Sequence, residues 1–84
     1  MANLQERVEA LRKAFEEAAL AVRDAKSLEE LRTAYLGRKR GHVTLLFEDL
    51  KSVPPEERRE SGRLVNGLKA LVLERLEALE PGLG

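Results

Sequence analysis

The sequence predicts an all-α fold, and three observations carry that prediction. Leu, Ala, Glu, Arg and Lys dominate the 84 residues, the composition of long helices rather than of disorder. Apolar residues recur at helical spacing almost from end to end. The three prolines fall at the joints between apolar stripes, not inside them.

The first stripe is Leu4, Val8, Leu11, Phe15, Ala18, Val22, Ala25, with alternating steps of 4 and 3. This is an a/d heptad seam. Asn3 is its candidate N-cap, with Glu6 three residues on as the capping-box partner. A first helix is therefore expected over 4–25. The register then shifts by one. Ser27 followed by Leu28-Glu29-Glu30 reads as a fresh capping box, and Leu28, Leu31 and Tyr35 form a new stripe. A second, short helix is expected over 28–36, with Gly37 as a left-handed C-cap. Gly37-Arg38-Lys39-Arg40-Gly41 reads as a turn with its side chains in water. Val43, Leu46, Phe47 and Leu50 then mark a helix over 41–50. Ser52-Val53-Pro54-Pro55 stops it, because proline disfavours helix at the residue before it. Pro55 suits the first turn of a last helix over 55–80, with Glu56 and Glu57 at the positive end of its dipole. Its stripe is Leu64, Val65, Leu68, Leu71, Val72, Leu76, Leu79. Gly62 and Gly67 lie inside it and suggest close approach to a neighbour. Pro81-Gly82 ends it.

At 1.5 Å per residue the first two helices span ~50 Å and the last ~39 Å. The expected architecture is one domain over 1–84: an antiparallel helical hairpin or coiled coil with short helices at its tip. Both termini then lie at the base. The basic turn 38–40 lies toward the tip, with Arg58 and Arg59 near the same end.

The composition excludes several functions. No Cys is present, so there is no disulfide framework and no thiolate metal site. No apolar run approaches the ~18 residues of a membrane span, and the N-terminus lacks a secretory signal, so the expected compartment is the cytoplasm. His42 is the sole imidazole, with no orienting carboxylate within a turn, and reads as a solvated helix-start residue. Most carboxylates stand three or four residues from a cation, as Glu9 from Lys13 and Glu29 from Arg32. No phosphate-cradling glycine motif occurs. Nothing supports catalysis, a cofactor or a small-molecule substrate in this chain. A chain this short is marginal alone, which favours a partner or a larger parent.

Charge is zero overall, with 15 cations against 15 anions. Residues 26–51 nevertheless carry six cations against four anions, three of the six consecutive. Arg38, Lys39 and Arg40 on an exposed turn suit contact with nucleic-acid phosphates. The bland reading is a solvated, self-repelling turn. An interaction coiled coil, with the Leu4–Val22 seam paired between chains, is the alternative to RNA binding.

The run Leu28-Glu29-Glu30-Leu31, then Tyr35-Leu36-Gly37-Arg38-Lys39-Arg40-Gly41, an apolar helix, Pro54-Pro55-Glu56-Glu57-Arg58, Gly62, and Leu64-Val65-Asn66-Gly67-Leu68-Lys69 resembles the N-terminal segment of bacterial phenylalanyl-tRNA synthetase alpha subunits. Order and spacing agree over 27–70. The first helix is only generic heptad, and Arg40 adds one cation to the family's usual basic pair. The resemblance implies an antiparallel coiled-coil arm that contacts tRNA by shape and phosphate. By position it implies Arg38, Lys39 and Arg40 as the main contacts, and Arg32, His42 and Lys26 as secondary ones. It implies that Tyr35 and Leu36 pack at the helix junction. The synthetase beta subunit is the implied protein partner. The family's class II catalytic motifs are absent here, so ATP and magnesium are implied only for a separate catalytic domain.

Overall fold

The computed structural model describes residues 3–80, which form four helices: α1 (Leu4–Leu20), α2 (Ala25–Leu36), α3 (His42–Leu50) and α4 (Pro55–Leu79). Asn3 caps α1 as the sequence suggests, its Oδ1 accepting from the Glu6 N–H at 2.8 Å. Pro55 is the first residue of α4, with Glu56 and Glu57 in its first turn. The Pro81-Gly82 stop lies outside the described residues.

Four local expectations need correction. The first helix ends at Leu20, not at residue 25. The second starts at Ala25, with Asp24 rather than Ser27 as its N-cap. The Asp24 carboxylate accepts from the Ser27 N–H at 2.7 Å, while Ser27 Oγ accepts from the Asp24 N–H at 3.2 Å. Ser27 is thus the third-position partner in the box. This reciprocal pair stops α1 from running on, because it holds Asp24 in an extended conformation (φ −154°). Gly37 is not left-handed either (φ −56°, ψ 142°), and no described residue has positive φ. Its lack of a side chain serves close approach instead: a Cβ there would stand 2.6 Å from the Thr33 carbonyl oxygen. Gly62 and Gly67 show the reverse, since a Cβ at either would meet nothing within 4 Å.

The helix pairing also departs from a simple hairpin. The start of α1 lies beside the start of α4, where Asn3, Leu4 and Gln5 share a recess with Pro54, Glu60 and Leu64. Their ends lie together too: Glu16 faces Arg75 at 3.9 Å, and Leu20 and Leu79 share a second recess. The two long helices are therefore parallel. The chain turns back at residues 21–24, so that Tyr35 near the end of α2 meets Phe15 on α1. Asp49 near the end of α3 meets Arg7 near the start of α1. Together α2 and α3 form one interrupted arm antiparallel to both long helices. The bundle is 45 × 21 × 21 Å. Its two described ends lie apart on the long axis, not together at a base.

The reason is burial. A hairpin of the first and last helices would leave the stripes of α2 and α3 in water. As a third layer they put Leu28, Leu31, Tyr35, Val43 and Leu46 into one core with Val8, Phe15, Ala19, Val65, Leu68, Val72 and Leu76. The 37–41 segment consequently sits on the side of the bundle, between α2 and α3, rather than at a tip. Arg58 is separated from it by the length of α3, against Leu50 and Lys51.

Candidate nucleic-acid interface

The side chains of Tyr35, Val43 and Leu46 anchor α2 and α3 in the core, and the segment between them must reverse over few residues. It does so as a pinched loop. The Gly37 carbonyl accepts from the Gly41 N–H at 3.1 Å and from Thr44 Oγ1 at 2.7 Å. Gly41 is buried against Gly37: a Cβ on it would lie 2.5 Å from Gly37 N and 2.6 Å from Gly37 O. Closing the base of the loop at two glycines pushes the intervening residues outward. Arg38, Lys39 and Arg40 are all exposed, and none forms an ion pair among the described residues. Three cations with no carboxylate paired to them among the described residues form a local positive field that the chain's total conceals.

Tyr35 forms the floor beneath the loop. Its ring stands edge-on to Phe15 at 5.0 Å and to His42 at 4.9 Å, geometries that favour aromatic pairs. Burial holds its phenol above the ordinary tyrosine pKa, so the phenol stays neutral, as a packing residue requires. Tyr35 and the half-buried Leu36 thus occupy the junction the resemblance implied.

Among the other sequence candidates, only His42 joins the loop. It is exposed, directly follows Gly41, and leans on Tyr35. Arg32 is engaged with Glu29 at 2.9 Å, which offsets its charge. Lys26 is exposed near the start of α2, ~16 Å along the helix from Gly37, and is not brought to the loop. One cation that composition did not single out is placed distinctively: Lys69 Nζ stands 5.7 Å from the Phe47 ring centroid, a cation–π contact between α4 and α3. Among the described residues no group of three or more metal-ligating side chains occurs. No described helix is long and apolar enough to cross a membrane.

Residues 23–83 match the family described as the N-terminal domain of class II aminoacyl-tRNA synthetases. The chain belongs to this family. The matched span takes in α2, the glycine-pinched loop, α3 and α4, and begins at the turn after α1. Curated relatives agree with it. The chain is 47% identical over 58 residues to the phenylalanine–tRNA ligase alpha subunit of Rhodospirillum centenum, covering 69% of this chain and 16% of that protein. It is 38% identical over 78 residues to the alpha subunit of Klebsiella pneumoniae, covering 93% of this chain and 22% of that one. The Macrococcus caseolyticus alpha subunit is 34% identical over 78 residues, with the same coverages of 93% and 22%. The longer matches take in most of α1, which the motifs alone do not reach. The chain thus spans less than a quarter of the length of these relatives, and the part matched is their N-terminal domain. No solved structure matches the chain.

Proposed function

We propose that this domain contacts tRNA for a phenylalanine–tRNA ligase, gripping backbone phosphates through Arg38, Lys39 and Arg40 while the amino acid is attached elsewhere in the enzyme. One observation carries the reading: three adjacent cations are held outward by a glycine-pinched loop with no carboxylate partner among the described residues. Phosphates supply the missing anions, and displaced counterions supply much of the free energy. The domain adds affinity and orientation, not chemistry. ATP and magnesium belong to the catalytic portion of the enzyme, the beta subunit is the neighbouring chain, and the work is done in the cytoplasm.

The test is equilibrium binding of a phenylalanine-accepting tRNA to the 84-residue chain across a salt series. The logarithm of the association constant should fall linearly with the logarithm of salt concentration. Combining Arg38→Ala, Lys39→Ala and Arg40→Ala should flatten that slope by roughly 2–3. A triple variant that binds like the parent at every salt concentration sinks the reading. The alternative, a coiled coil between chains, lacks an open seam. Val8 and Phe15 are buried within the chain, and Leu4, Leu11, Ala18 and Val22 pack against the same core.

A further inference from the structure

The zero net charge is distributed unevenly around the bundle. On α4, Arg58, Gly62, Asn66 and Lys69 recur at steps of 4, 4 and 3 and so share one face. That face borders α3. Arg58 and Gly62 line a shallow recess with Leu50 and Lys51, and Lys69 stands over Phe47. None of the four α4 positions is a carboxylate. On α3, Asp49 is turned away to Arg7 on α1, and Glu48 is occupied by Lys51 at 3.1 Å. Arg58 Nη2 donates to the Val53 carbonyl at 3.0 Å, which orients the guanidinium without neutralising it. Gly62 leaves open space where a side chain would be, and its carbonyl accepts from Asn66 Nδ2 at 2.9 Å. The groove on the other side of α4 has the opposite character. Where α1 and α4 begin it is lined by Glu56, Glu57 and Glu60, with no cation.

We infer that the α3–α4 seam is a second phosphate-contacting surface, continuous with the 38–40 loop, on which Lys69 and Arg58 follow an RNA backbone along α3. The acidic end of the α1–α4 groove, where the two helices begin, lies on the other side of α4 from that RNA. This rests on the proposed function of the loop. The loop joins the start of α3, and Arg58 lies at its end, ~12 Å further along. An extended anion laid on the loop along α3 therefore meets Lys69 and then Arg58.

The experiment is the same tRNA titration across salt, with three further variants of the 84-residue chain. Arg58→Gln with Lys69→Gln removes two seam cations and should flatten the salt slope by about 1.4–1.8. Lys13→Gln with Arg75→Gln makes the same charge change beside the α1–α4 groove and should leave the slope unchanged. Asn66→Lys adds a cation to the seam and should tighten binding and steepen the slope, which no loss of folding can imitate. Circular dichroism of each variant controls for helix content. A seam pair that binds like the parent while the loop triple variant weakens overturns the seam and leaves the loop standing. So does equal weakening by the seam pair and the groove pair, which would reduce the effect to net charge. An unchanged Asn66→Lys variant also counts against the seam. Absence of any salt-dependent binding by the parent removes loop and seam together.

Discussion

At Gly41 a single hydrogen atom is all that fits. A methyl group there would press on Gly37 N and O and, at 2.8 Å, on the Tyr35 carbonyl, backbone atoms that cannot swing aside. Gly41→Ala should therefore destabilise the chain by about 1–3 kcal/mol, read as a fall in the midpoint of thermal unfolding. Gly62→Ala and Gly67→Ala should do the opposite. Both positions are helical and open, so each substitution should add up to ~1 kcal/mol through helix propensity. For a domain of this size that is a rise of roughly 4–8 °C. Opposite signs at these glycines separate close approach from tolerance, a distinction their positions in the sequence do not reveal. Asp24 makes a prediction in pH. The hydrogen bond from the Ser27 backbone, helped by the Ser27 hydroxyl, lowers its carboxyl below the ordinary value. A group lowered in the folded state stabilises above its unfolded pKa, and that contribution is lost as pH falls through the folded one. Unfolding midpoints should accordingly drop on the acid side. Asp24→Asn keeps a capping oxygen without the titration and should flatten that drop.

At the scale of elements, the interrupted α2–α3 arm holds the two long helices together. Phe15 has no exposed surface and carries Tyr35; Leu46 is equally enclosed on α3. Phe15→Ala should cost about 3–5 kcal/mol and Leu46→Ala about 2–5 kcal/mol. Those are large shares of a total of roughly 5–15 kcal/mol, and chemical denaturation would measure them. Leu20 is 88% exposed at the end of α1, so Leu20→Ala should change stability by less than about 0.5 kcal/mol. Much of this was legible from residues: the Asn3 cap, the Pro55 start of α4, the apolar stripes and the water-facing 38–40 loop are local properties. The α1–α2 boundary was not. Both Asp24 and Ser27 are good caps, and which one holds the N-cap depends on where the chain must turn to bury Leu28 and Leu31.

For the whole molecule, the decisive feature is that α1 and α4 run in parallel. The chain has no native Cys, so pairs of introduced cysteines can carry spin labels without interference. Labels at Gln5 and Glu60 should be close, since both residues line one recess. Labels at Gln5 and Glu77 should be far apart, because 17 residues of α4 add ~25 Å. A hairpin that brought the ends of the chain together would reverse the two results. The same arrangement sorts the charges. Near the starts of the long helices, carboxylates gather between α1 and α4, while cations gather along α3. On the proposed reading, this basic side is the one that a polyanion meets.

The sequence by itself determined that this protein is helical, which residues form its apolar stripes, and which family it belongs to. Those follow from spacing, caps, prolines and motif order, all of which act within a few residues. Only the tertiary structure decided that α1 and α4 are parallel, that the basic loop lies on a flank, and that Lys69 and Arg58 border α3. Periodicity marks which side of a helix is apolar but carries no information on which other helix covers it. That choice is made by burying every stripe at once, and it alone brings distant charges to the same surface.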